Sequence, residues 1–185
     1  MTIVHGLILA AGAGRRRGFP KALVPGALDG AVAALTGGGC TRVVVVLGAA
    51  AEQAAPLVPP EAEVVHAADW ADGMGASLRT GLAALDDPAR GTAPDAAVIH
   101  LVDIPDVGAD VVRRLVARAS PDILARAVYR SAPGHPVLMG RTHFAAAAES
   151  AVGDRGARDY LSARTVDGVE CGDLASGDDV DTPSG

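Results

Sequence analysis

The sequence predicts an α/β fold, a three-layer α/β/α sandwich around a mixed, mostly parallel sheet. Three observations carry that prediction. Short apolar runs bounded by turn residues alternate with helix-compatible stretches along the whole chain, the pattern of strands joined by crossover helices. Two of the runs, "VVVVL" (43–47) and "AAVIHLV" (96–102), are apolar without alternation, as expected of central strands covered on both faces. Two late runs are linked through "SAPGH" (131–135), too short for a crossover, which predicts an antiparallel pair.

In chain order, the first strand is read over Ile3–Leu9, where the apolar run gives way to a glycine-rich segment. A helix is expected at about 27–36, then a strand over Arg42–Leu47 and a helix at about 49–56. Glu63–His66 reads as the third strand, followed by a helix at about 75–85 and the strand Ala96–Val102. A helix at about 109–119 precedes the pair Ile123–Tyr129 and Pro136–Met139, and helices at about 141–150 and 156–162 complete the set. In such folds ligands bind beyond the carboxyl ends of the strands. That directs attention to residues 10–21, 67–77 and 103–106.

Composition narrows the class. With 49% hydrophobic and 21% charged residues the chain is globular rather than disordered, and 185 residues suit one domain spanning 1–185. No apolar run approaches the ~20 residues of a membrane-crossing helix, and no basic leader opens the sequence. Cys40 and Cys171 are too few for a disulfide framework. The expectation is a cytoplasmic protein with reduced thiols. A net charge of -6 disfavours general nucleic-acid binding, so any phosphate chemistry must use a local basic cluster. Of the 16 Lys and Arg residues, Lys21 alone is a lysine, a compact ammonium where the rest are planar forks.

Lys21 closes the glycine-rich segment "LAAGAGRRRGFPK" (9–21). The dinucleotide fingerprint G-x-G-x-x-G fails there, because the third glycine is Gly18 where 17 is required, and the acidic residue expected ~20 positions on is missing. The P-loop pattern fails too, since Lys21 is followed by Ala22. The segment resembles instead the L-A-A-G-x-[ST/G]-x-R-x-G-x-x-K signature of MobA-like nucleotidyltransferases, and most of all the molybdenum cofactor cytidylyltransferases. The resemblance implies a Rossmann-like fold of the nucleotide-diphospho-sugar transferase type. It also implies that Leu9, Ala10, Ala11, Gly12, Ala13, Gly14, Arg15 and Gly18 wrap the triphosphate of a bound nucleotide, with Arg16 and Lys21 as its catalytic cations. Gly14, often serine in the family, and Arg17, often methionine, depart from the pattern without removing a required charge. Electrostatics agrees: at an effective dielectric near 20, a unit charge pair at ~4 Å is worth roughly 4 kcal/mol. A few cations with backbone N–H groups can therefore hold a polyphosphate.

Four further blocks resemble the same family. "DWADGMGASLRTGL" (69–82) implies a nucleotide contact for Ser77 in the first turn of a helix, while Trp70, the single tryptophan, reads first as a packing residue. "HLVDIPDV" (100–107) implies that Asp103 binds Mg2+, a hard cation that takes one or two carboxylates and completes its shell with phosphates and water. "PGHPVLMGR" (133–141) and "VGDRGARDYL" (152–161) imply an acceptor side made by Gly134, His135, Asp154 and Arg158. Read alone, His135 is a turn histidine, and Asp154, Arg155 and Arg158 equally suit a cap with ion pairs. "DDVDTP" (178–183) implies a second metal ligand at Asp181. Against the family the connection "ALVPGALDG" (22–30) is shorter than usual.

Taken together, the resemblance implies metal-dependent transfer of a nucleoside monophosphate, CMP from CTP on the "LAAG" form, to a phosphorylated acceptor such as molybdopterin cofactor. Pyrophosphate would leave, and a molybdoenzyme or its chaperone would be the partner. Two other readings stand beside it: a cytidylyl- or guanylyltransferase for another acceptor such as a sugar phosphate, and a non-catalytic cofactor-binding or delivery protein.

Overall fold

The computed structural model describes residues 1–16 and 18–179. Seven strands form one sheet: β1 Val4–Ala10, β2 Val43–Leu47, β3 Ala62–His66, β4 Ala96–Leu101, β5 Leu124–Tyr129, β6 Ala132–Gly140 and β7 Asp167–Glu170. Their order is β3-β2-β1-β4-β6-β5-β7. The first four are mutually parallel, β6 runs antiparallel to both β4 and β5, and β7 is parallel to β5. The chain winds outward from β1 to β3 on one side and resumes at β4 on the other. The switch point of this α/β sheet therefore lies between β1 and β4, where a ligand crevice is expected.

β1 and β2 are buried at every position, which explains their unbroken apolar character: each face of each strand meets a helix layer. One layer packs α1 (Ala27–Gly37), α2 (Ala51–Ala54) and α4 (Ala109–Val116) on Ile8, Val43, Val45, Leu47 and Val98. The other packs α3 (Met74–Asp86), α5 (Phe144–Ser150) and α6 (Arg158–Ser162) on Leu7, Leu9, Val44, Val46 and Ile99. Close approach is enforced by small residues. A Cβ on Gly81 of α3 would lie 2.5 Å from Leu7, and one on Gly38, just past α1, would lie 2.3 Å from Val112.

Three local expectations change. The helix read at 49–56 is one turn of α-helix continued by a 3₁₀ turn, Ala55–Leu57, with Pro56 at its start, because proline there has no N–H to extend the α-helical ladder. The antiparallel pair is present, but its turn is Arg130–Ser131, both with positive φ (50° and 68°), so "APGH" belongs to β6 rather than to the loop. His135 accordingly sits in a strand, before a cis peptide bond to Pro136. β7 was not anticipated: of its four residues only Val169 is buried, too weak a signal to mark an edge strand.

Candidate functional site

β1 and β4 end side by side, Leu9 opposite Leu101, so the loops that follow them emerge together at the switch point. The loop after β1 is shaped by Gly14 and Gly18. Gly14 has φ +64°, its carbonyl accepts a 2.8 Å hydrogen bond from Gly18 N–H, and a Cβ there would fall 1.8 Å from the Phe19 carbonyl oxygen. Only glycine fits such a position. Pro20 then starts a 3₁₀ turn, Lys21–Leu23, which turns the lysine back over the sheet. Its Nζ donates to Oδ2 of Asp103, two residues beyond β4, in an ion pair that is largely withdrawn from solvent (side-chain exposure 22% and 11%).

This pair borders a cleft. A cavity of about 440 Å3 is lined by Gly12 to Arg16 and Lys21 on one side and by Trp70, Asp72, Ser77 and Asp154 on the other. A contiguous pocket of about 160 Å3 shares Leu9, Gly12, Gly14 and Lys21 and reaches Asp103. Ser77 is buried in the first turns of α3, whose N-terminal end carries the positive end of the helix dipole. The start of α3 is itself tightly held. Gly73 has φ +107° and abuts Gly153 and Asp154, and a Cβ on Gly75 would lie 2.7 Å from Ala151. Trp70 packs against Gly48 and the second core layer and also lines the cleft.

The residues assigned from sequence to the nucleotide are therefore brought to one cavity, apart from Ala10, which reaches the contiguous pocket, and Gly18, whose positive φ shapes the loop without lining either. Those assigned to the acceptor divide. Asp154 lines the 440 Å3 cavity together with Arg15 and Arg16. Gly134, His135 and Arg158 do not line it. Burial and Arg126 bring the His135 imidazole down to about 4; Asp103 opposes that pull and Arg158 adds to it. Arg155 pairs with Asp159 on the surface at 2.6 Å, the ion-pair role that its spacing allowed.

Arg126 escaped the sequence reading. It lies on β5, half-buried, and donates through Nε and Nη2 to the Gly134 carbonyl at 3.2 and 3.1 Å. Burial and the neighbouring Arg158 lower its pKa. The available signal was a single charge inside the apolar run "ILARAVY".

Asp103 offers a carboxylate oxygen at the wall of the smaller pocket, where it pairs with Lys21. Among the described residues no three His, Cys, Asp or Glu side chains converge on a metal position. A hard cation held by one carboxylate, phosphates and water fits that arrangement. Asp181 lies outside the described residues.

Buried histidines give the fold a pH signature. His100 on β4 is 1% exposed, its Nδ1 has no partner among the described residues, and burial with the nearby His135 takes it down to about 3. An unfolded imidazole titrates near ~6.5. Below that pH the unfolded chain gains protons that native His100 and His135 refuse, so stability present above pH ~6.5 is lost as the pH falls toward the folded values. Urea unfolding should show about 2 kcal/mol lost per histidine between pH 7 and pH 5, and His100→Leu should flatten that slope. A wild-type midpoint constant over that range would contradict it.

Comparison with known proteins supplies the context. Residues 6–169 match the MobA-like NTP transferase domain. The chain is 36% identical over 196 residues to nicotine blue oxidoreductase of Paenarthrobacter nicotinovorans, covering 97% of this chain and 92% of that protein. Among solved structures it is similar to Rv0371c of Mycobacterium tuberculosis H37Rv, with 27% identity, a TM-score of 0.81 and 98% and 93% of the two chains covered. A manganese complex of Rv0371c aligns at 25% identity with a TM-score of 0.74, over 92% of this chain and 89% of that one.

Proposed function

The chain belongs to the MobA-like NTP transferase family, and from that membership we propose that it moves CMP from CTP to a small phosphorylated acceptor such as molybdopterin cofactor. An oxygen of the acceptor's terminal phosphate attacks the α-phosphorus in line. The new P–O bond forms as the bond to the β-phosphate oxygen breaks, and pyrophosphate leaves. The observation that carries this reading is the meeting of Lys21 and Asp103 at the wall of a glycine-lined cavity, each delivered by the loop after one of two adjacent central strands.

In this reading the backbone from Gly12 to Gly14 and the α3 N-terminus near Ser77 cradle the triphosphate. Arg16 and Lys21 offset charge on the departing pyrophosphate, with Arg15 at the cavity mouth. Asp103, with Asp181 as the second ligand, would hold Mg2+, which would supply charge neutralisation at the phosphates. The protein contributes positioning and fixed charge rather than a covalent nucleophile. The product would pass to a molybdoenzyme or its chaperone.

A second reading follows from one observation, the oxidoreductase name of the 36%-identical relative: the same cleft would take a reduced dinucleotide. Thermal shift with Mg2+ and each of CTP, GTP, ATP and UTP, beside NADH and NADPH, separates the two. CTP at a hundredfold excess over Kd stabilises by ~2.7 kcal/mol, or about 5–10 °C for a chain of this size. Shifts with a reduced dinucleotide and none with any triphosphate would end the transfer reading.

A further inference from the structure

The short connection into α1 has no part in the transfer chemistry above. After the 3₁₀ turn Lys21–Leu23 the chain needs only Val24, Pro25 and Gly26 to reach the helix. The Val24 N–H donates to the Lys21 carbonyl and the Ala27 N–H to that of Val24, both at 3.1 Å. Gly26 takes φ +77°, and a Cβ there would meet nothing within 4 Å. The connection is thus a pair of tight turns carrying only short side chains, and these leave a space against the loop after β4.

That space is a second pocket of about 160 Å3. Val24, Pro25 and Ala27 line it from the connection, and Val102 and Pro105 line it from the loop after β4. Val102 is buried, whereas Pro25 and Pro105 are exposed and form the mouth, with the backbone on each side stiffened by a proline ring. Among the described residues the only charged side chains on its wall are Lys21 and Asp103, which pair with one another. The same pair and Val102 also line the first 160 Å3 pocket, and Lys21 lines all three cavities. An apolar chamber therefore adjoins the cleft across the Lys21–Asp103 contact. A cavity of ~150 Å3 with apolar walls holds one benzene ring, and valine, proline and alanine offer such a ring dispersion contacts without a charge to satisfy.

We propose that this pocket takes one uncharged ring of the acceptor, the ring nearest its phosphate. The nucleotide does not need the space: its triphosphate follows Gly12 to Gly14 into the 440 Å3 cavity. A ring seated against Val24 and Val102 would carry its phosphate toward Lys21 and Asp103, where the two pockets meet. The inference rests on the transfer reading for the identity of the ring's owner as the acceptor. It gives the connection at 22–30 a role in choosing among acceptors by the group that adjoins the phosphate.

The test uses the full chain with valine and alanine methyl groups labelled for NMR. Benzyl alcohol, a neutral ring without a phosphate, should shift the methyl signals of Val24, Ala27 and Val102 saturably. Ala27→Leu adds three carbons at a half-buried wall position and should abolish the shifts at Val24 and Val102. Val24→Ala, a truncation at a half-buried loop position, should weaken benzyl alcohol binding roughly threefold or more. Calorimetry with Mg2+ then joins ring to phosphate. Phenyl phosphate should bind at least about tenfold more tightly than methyl phosphate, because its ring leaves water. Ala27→Leu should erase that preference and leave the affinity for methyl phosphate unchanged. No saturable shift at these methyls in wild type, or binding unaltered in both variants, overturns the pocket. If benzyl alcohol binds there but the two esters bind equally or not at all, the ring is not the acceptor's and that assignment falls. The transfer reading itself stands or falls separately, on the triphosphate shifts described above.

Discussion

Asp103→Asn is expected to lower Mg2+-supported pyrophosphate release from CTP and acceptor by at least about a thousandfold, equivalent to ~4 kcal/mol of transition-state stabilisation. The change removes one charge and keeps the shape. The substituted amide oxygen can still accept a hydrogen bond from Lys21, so the loop after β1 keeps its anchor, and the fold, whose core lies in the two helix layers, stays intact. A neutral amide is a poor ligand for a hard dication, which prefers anionic oxygen. The lost term is thus the ion that neutralises the phosphates during in-line displacement. Turnover by pure, folded Asp103→Asn at the wild-type rate would remove Asp103 from the metal role.

Gly14→Ala should weaken CTP binding at least about thirtyfold, or ~2 kcal/mol, without lowering the Tm of the ligand-free protein in proportion. The reason is steric. At φ +64° an alanine is disfavoured, and its methyl would lie 1.8 Å from the Phe19 carbonyl oxygen, a backbone atom with no rotamer to escape into. The loop must open, and with it the cradle between β1 and Lys21. Gly18→Ala provides the control. It shares a positive φ, +87°, but its Cβ would meet nothing within 4 Å, so only the backbone penalty of about 1 kcal/mol applies. Equal effects of the two substitutions on CTP affinity would show that the packing against Phe19 is irrelevant.

Much of this architecture was legible because burial on both faces leaves a plain mark. "VVVVL" and "AAVIHLV" have no polar alternation because no face of β2 or β4 sees water, and both became central strands. β7 left no such mark, since an edge strand with one buried residue reads like a loop. The hairpin turn was misplaced because glycine and proline in "SAPGH" outweighed Arg130–Ser131, two residues that seldom adopt positive φ. In the site, the glycine-rich loop was readable because its tight turn admits only glycine at Gly14. The neighbours of His135 were not readable in full. Arg126 is separated from His135 by a turn, and only the β5–β6 pairing makes them neighbours. Asp154 and Arg158 fall in one sequence block, yet the 3₁₀ turn Gly153–Arg155 packs on Gly73 and Asp154 lines the 440 Å3 cavity while Arg158 does not.

The contact between Lys21 and Asp103 also makes the two ligands interdependent. At rest the ammonium and the carboxylate neutralise one another at the cleft wall. A dication arriving by itself would compete with Lys21 for Asp103, and a triphosphate arriving by itself would bring several negative charges up to Asp103. Only the two together replace both halves of the contact, so each should tighten the other's hold by the same factor, as thermodynamic linkage demands.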